Sequence, residues 1–149
     1  MKLLSFSHHT ETGANRASFG IATGIDGADG IIDLGDQLDG VRDLSDLLAQ
    51  ERVGEARTIA ESATPTLSTD NVIFERTLPT PGKIFCIGVN YGGRNAEYKD
   101  GQDSPDKPSV FVRFPSSFTG HEQPLVRPPE SAQLDSEGET GAGIRTAGR

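Results

Sequence analysis

Lys83-Ile84-Phe85-Cys86-Ile87-Gly88-Val89-Asn90-Tyr91-Gly92-Gly93-Arg94-Asn95-Ala96-Glu97 is the stretch on which the fold reading turns. The apolar run from Lys83 to Val89 predicts a buried strand. Gly92 and Gly93 break that run, and Asn95 to Lys99 predicts a short helical turn. Further along stands Leu134-Asp135-Ser136-Glu137-Gly138-Glu139. In extended backbone, residues i and i+2 share one face. Glu137 and Glu139 on one face repel each other unless a cation lies between them, and carboxylate oxygens are what a hard divalent ion binds. The alternative is a pair of ordinary exposed acids on a strand.

Between these pieces, Ser109-Val110-Phe111-Val112-Arg113 predicts a strand closed by Pro115, with loops at Ser116-Ser117-Phe118 and Gly120-His121. Pro124-Leu125-Val126-Arg127 predicts a short strand stopped by Pro128 and Pro129. Upstream, strands are predicted at Lys2 to His8, Arg16 to Thr23 and Gly30 to Leu34, forming a small antiparallel meander. Asp43 to Leu48 predicts a helix capped by Asp43 or Ser45, and Val53 to Ser62 a second one. Residues 63–82 are rich in Thr and Pro, which suits a linker. The expected organisation is a small N-terminal lobe over residues 1–75 and a second region over 76–149.

The chain has 149 residues, of which 34% are hydrophobic, enough for one ordinary domain or two small lobes. It contains no apolar run long enough to span a membrane. The start, Met1 to His9, lacks the apolar core and small-residue cleavage site of a secretory signal. The single cysteine, Cys86, cannot form an internal disulfide, and its apolar neighbours predict a buried, inert thiol. Together these features point to a reducing, cytoplasmic setting with no membrane partner. The net charge of −8 opposes general binding to nucleic acid. Asp26, Asp29, Asp33, Asp36, Asp39, Asp43 and Asp46 predict a solvated acidic surface; the ligand order of a calcium loop is absent.

From Lys83 to Glu139 the sequence resembles the fumarylacetoacetate hydrolase family. The resemblance rests on Lys83 to Tyr91, Asn95-Ala96-Glu97, Pro108 to Arg113, Ser116-Ser117, Gly120-His121 and Leu134 to Glu139, in that order. It implies a mainly β fold with short helices (α+β), an incomplete rolled β-sheet domain preceded by a small meander-and-helix lobe. It also implies a homodimer when full length, and hydrolase, lyase or isomerase chemistry on 2-oxo acids or β-dicarbonyl compounds. Mg²⁺ or Mn²⁺ is the implied metal, with Glu137 and Glu139 at two ligand positions. A third acidic ligand would lie beyond residue 149, so the chain is read as the truncated front of such a domain. Chelation of a carboxylate and a keto oxygen by the metal would polarise the ketone and stabilise an enolate. Asn90, Tyr91 and Arg113 fall on the substrate side of the implied site. Arg113 either pairs with a substrate carboxylate or is a strand-end surface charge.

Two departures stand out. Arg94 occupies a place where many family members carry a His paired with a Glu, and arginine cannot act as a base at neutral pH. Glu97 remains, either as a base acting through water or as a salt-bridge partner of Arg94. His121 is read as structural or exposed rather than as a replacement base. Ser136 stands where an aromatic residue is usual, and Gly141-Ala142-Gly143 weakens the strand expected next. These departures keep a second reading open: a non-catalytic, truncated or decayed member of the family.

Overall fold

The structure, a computed structural model, describes residues 1–24, 30–88, 107–134 and 141–144. The chain divides into two compact units, Met1–Pro79 with Thr119–Arg149, and Thr80–Phe118. The described residues are mainly β, with two short α-helices.

The first unit is built on β1 (Lys2–His9), β2 (Asn15–Thr23) and β3 (Gly30–Asp33), an antiparallel meander as the sequence predicts. The β1–β2 turn closes through Gly13, whose φ of 79° suits a residue without Cβ. Register places Leu3 opposite Ile21 and Ser5 opposite Phe19, while Ile21 faces Ile32 across β2 and β3. Phe19, Ile21, Ile32 and Leu34 thereby share one face and pack with Leu38, Val41, Leu44, Leu47 and Ala56. Full burial of a Phe or Leu side chain stabilises by roughly 1.5–3 kcal/mol, so this face is the centre of stability of the unit.

Both helices form where the sequence predicts them, and the first is capped by a side chain. In α1 (Leu44–Ala49), Asp43 is the cap and its side chain accepts from the amide of Asp46 at 2.9 Å. Leu44 and Leu47, three positions apart, turn one stripe into the core. The helix stops at Glu51, whose φ of 58° is left-handed; the Glu51 and Arg52 amides donate to the carbonyls of Leu48 and Leu47. In α2 (Val53–Ser62), Ala56 is buried, and Val53, Ile59 and Ala60 pack against the same core.

The Thr/Pro-rich segment departs from its reading as a linker. Val72–Phe74 forms β4, which pairs with β1 and gives the sheet order β3-β2-β1-β4. Leu67 bridges to Ile31 at the opposite edge. The reason is local chemistry: Val72, Ile73 and Phe74 are strong strand formers, and the prolines stand outside the ladder. Ser5 Oγ donates to the carbonyl of Thr77, and Ser7 Oγ to the Glu75 carboxylate, at 2.9 Å each. These bonds satisfy the two serines buried within β1.

The second unit contains β5 (Phe85–Gly88) and β6 (Ser109–Val112), an antiparallel pair. Both strands fall where the sequence places them, but the burial expected of the first is not found. Phe85 and Ile87 are exposed and Cys86 is half-buried, because only one strand lies beside them among the described residues. Pro115–Ser117 is a single 3₁₀ turn. Pro124 to Arg127, expected as a strand, is irregular, with Leu125 and Val126 exposed. With no neighbouring strand among the described residues to take its hydrogen bonds, a Pro-bounded segment of four residues does not form a ladder.

Candidate functional site

Arg113 is the one predicted substrate-side residue that the structure describes. Its amide donates to the carbonyl of Ile84 at 3.2 Å, extending the β5–β6 ladder by one residue. Alternation along the strand puts Arg113 on the same face as Phe111, and the guanidinium lies 4.7 Å from the centre of that ring. A Cβ on Gly88 would meet the ring of Phe111 at 3.3 Å and Ser109 Oγ at 2.7 Å. Gly88 therefore leaves the space in which Phe111 lies, and Phe111 in turn orients Arg113. Such stacking contributes about 0.5–1 kcal/mol at an exposed site and leaves the in-plane N–H fork able to take a carboxylate in bidentate fashion.

The remaining predicted residues, Asn90, Tyr91, Arg94, Glu97, Glu137 and Glu139, lie outside the described residues. Among the described residues, no group of three His, Cys, Asp or Glu side chains is placed to hold a metal ion. The donor chemistry of the Glu137/Glu139 pair fits a hard dication such as Mg²⁺ or Mn²⁺, which prefers oxygen ligands to sulfur.

His121 belongs to the first unit and is exposed, as its sequence context implies. Its ring meets Phe74 edge-on at 5.5 Å, and Nε2 lies 3.8 Å from the carboxylate of Glu122. The adjoining Gly120 packs directly on the carbonyl of Phe74, which also accepts from Gln123 Nε2 at 2.7 Å. A side chain at position 120 would collide with that carbonyl, so this glycine is required by a close approach of backbone. The Gly120-His121 piece thus anchors a loop to β4.

Of the acidic segment, Asp26 and Asp29 lie outside the described residues, and Asp33, Asp36, Asp43 and Asp46 make specific hydrogen bonds. Asp33 Oδ1 accepts from Ser18 Oγ at 2.5 Å and from the amide of Gly35 at 2.8 Å. Its other oxygen lies 3.7 Å from His8 Nε2, a buried atom without a hydrogen-bond partner among the described residues. Asp36 pairs with Arg16 and Asp46 with Arg42, each through two guanidinium hydrogen bonds, and Glu55 pairs likewise with Arg52. Side-chain hydrogen bonding to arginine holds all three carboxyls below their usual range. A cleft of about 310 Å³ in this unit is lined by Ser5, Ser18, Arg42, Asp43, Glu75 and Arg76, among others. The sequence reading did not single out this cleft. Its only signal there was the pair of serines flanking Phe6 in an apolar strand. The cleft contains none of the predicted site residues; Arg42 is engaged by Asp46, and Glu75 by Ser7.

The family model described as fumarylacetoacetate (FAA) hydrolase C-terminal matches residues 83–149. Residues 83–149 are thus similar to the C-terminal region of the fumarylacetoacetate hydrolase family. It is 30% identical over 94 residues to a mitochondrial oxaloacetate tautomerase of Rattus norvegicus, an alignment covering 63% of this chain and 29% of that protein. It is 37% identical over 84 residues to an oxaloacetate tautomerase of Bacillus subtilis, covering 54% of this chain and 28% of that one. The crystal structure of an HpcE protein from Mycobacterium smegmatis superposes with a TM-score of 0.60 at 23% identity, over 86% of this chain and 41% of the other. That similarity establishes the fold. The chain spans less than a third of the length of these two tautomerases.

Proposed function

We propose that this chain is the front part of a metal-dependent enzyme acting on a 2-oxo acid or β-dicarbonyl compound, with keto–enol tautomerisation as the favoured reaction. The observation that carries this reading is the family match over residues 83–149, a span that includes Glu137 and Glu139. The relatives named as oxaloacetate tautomerases favour an isomerase over a hydrolase or lyase. In this reading the lobe boundary lies near residue 75, supported by the start of the family match at residue 83. The enzyme works in the cytoplasm as a homodimer on a small molecule, with neither nucleic acid nor membrane as partner.

Glu137 and Glu139 would hold Mg²⁺ or Mn²⁺, which supplies Lewis-acid polarisation of the keto oxygen when bound. Arg113, oriented by Phe111, pairs with a substrate carboxylate. Asn90 and Tyr91 would orient the substrate, the role that the family resemblance implies for them. Glu97 takes the proton from the carbon next to the ketone, and the same proton count returns at oxygen, so the reaction is redox-neutral. Arg94 cannot take that proton; it stabilises developing negative charge instead.

Calorimetry with Mn²⁺ on the purified chain tests this reading. Two carboxylates leave the ion mostly hydrated, so binding is expected in the roughly millimolar range, and Glu137→Gln or Glu139→Gln should remove it. Binding unchanged in both variants would sink the assignment. A second reading, a non-catalytic family member, draws on Arg94 in the place of a histidine. Metal-dependent loss of the enol absorbance of oxaloacetate would exclude that second reading.

A further inference from the structure

His8 is a largely buried titratable side chain that the proposed reaction does not use. Register puts His8 of β1 opposite Arg16 of β2, and Asp33 of β3 opposite Gly20 of β2, so His8, Arg16, Ser18 and Asp33 share one face of the sheet. The His8 and Asp33 side chains are 12% and 15% exposed, and His8 Nε2 stands 3.7 Å from Asp33 Oδ2. That nitrogen is buried and has no hydrogen-bond partner among the described residues. Asp33 is fixed from its other side, where Oδ1 accepts from Ser18 Oγ and from the Gly35 amide. Gly35 closes over the cluster: a Cβ there would collide with Ser18 Oγ and press on Arg16 and Asp33. Ser18 donates to the carboxylate and not to the imidazole, so the three groups are not ordered as a catalytic triad.

We propose that His8 and Asp33 form a proton-operated clasp that ties β1 to β3 across β2, closed in mild acid and open above it. When the imidazole takes its second proton, Nε2–H donates to Asp33 Oδ2. A shift of about 1 Å brings the pair to the roughly 2.7–2.9 Å of a charge-assisted hydrogen bond. The surrounding charges favour that state. From β2 the ring faces Arg16, which Asp36 holds through two hydrogen bonds, and from β3 it faces Asp33. β4 sets the uncharged Val72 opposite His8; Glu75 beyond it binds Ser7, and Asp70 before it is exposed. Arg16, Asp33 and Asp36 together carry one net negative charge, which an imidazolium balances. Asp36 is held below its ordinary range chiefly by its hydrogen bonds to Arg16, with a smaller contribution from the charge of His8. Burial opposes the imidazolium, but the desolvation is partial, and the neutral ring leaves a buried nitrogen unpaired beside a carboxylate. The imidazolium has this partner only in the folded chain. Its stabilisation is therefore present below the ordinary histidine value of about 6.5 and is lost as pH rises past it. The clasp is independent of the roles proposed for residues 83–149.

Thermal unfolding of the 149-residue chain at about pH 8 and about pH 5.5, beside His8→Gln and Asp33→Asn, tests the clasp. The gain in melting temperature from the higher to the lower pH should exceed that of either variant by at least about 3 °C. His9 and His121 are present in all three chains, so the difference isolates the clasp. An equal or smaller gain in the unaltered chain overturns the proposal. So does a gain that survives in Asp33→Asn, which assigns the imidazolium to Asp36. Should a variant fail to fold, nuclear magnetic resonance of the unaltered chain decides. At about pH 5.5 the Hε2 proton of His8 should give a signal protected from solvent exchange, with an Overhauser contact to Asp33, and it should fade at about pH 8. His9, exposed on the opposite face, is the reference and should give no such signal. Absence of the His8 signal at the lower pH, or its persistence at the higher one, overturns the clasp.

Discussion

The sheet of the first unit and the β5–β6 pair are both antiparallel and both rich in strand-forming residues, yet only the first buries what it presents. Phe19, Ile21 and Ile32 find Leu44, Leu47 and Ala56 within a few dozen residues of themselves. Phe85, Ile87, Val110 and Val112 have equivalent side chains and remain exposed. Strand propensity sets where a ladder forms, but stability comes from what covers it. A unit whose covering helices are local in sequence closes by itself. Among the described residues the β5–β6 pair has no such cover.

The largest expected effect breaks that comparison directly. Leu47→Ala should destabilise the first unit by about 2–5 kcal/mol, through lost burial and the cavity left behind. Ile87→Ala in β5 should cost no more than about 0.5 kcal/mol, as a partly exposed site does. Urea titrations followed by far-UV circular dichroism measure both; equal losses would mean that the β5–β6 face is covered after all. Next in size, Asp43→Ala removes the α1 cap and should cost about 1 kcal/mol. Native-state hydrogen exchange should show the change in the amides of α1 and the packed strands, and none in β5 or β6. The smallest effect concerns acid. Asp36, Asp46 and Glu55 have folded values below their ordinary 3.8, 3.8 and 4.5. Their stabilisation is therefore complete above those ordinary values and is lost as pH falls through the lower folded ones. Melting temperature should drop below about pH 4, and Asp36→Asn should flatten that drop slightly, since exposed pairs contribute little. No flattening in Asp36→Asn, Asp46→Asn or Glu55→Gln would show that these pairs add nothing.

Much of the first unit was legible. The alternation in Lys2 to His8 and Arg16 to Thr23, the Asp43 cap and the limits of the second helix are local patterns, and local physics realises them. Less was legible where long-range partners decide. Residues 72–74 read as part of a Thr/Pro-rich linker, because composition over twenty residues conceals a three-residue strand that forms only with β1 beside it. The burial expected at Phe85 assumed a covered sheet. For the site, the family resemblance was readable from ordered motifs. Of the residues it implicates, the structure describes Arg113, whose stacking on Phe111 depends on the β5–β6 register and on Gly88. No one-dimensional pattern announces that arrangement.

By itself the sequence determined the positions of β1, β2, β3 and the two helices, a family resemblance over residues 83–149, and the spacing of two glutamates suited to a hard dication. These depend on periodicity, capping and motif order, which are properties of neighbours along the chain. Only the tertiary structure decided that a supposed linker completes a four-stranded sheet, that Gly120 pins its loop to Phe74, and that an apolar strand face stays uncovered among the described residues. Those outcomes depend on which surfaces meet across large separations in sequence, where packing and backbone hydrogen bonding outweigh local preference.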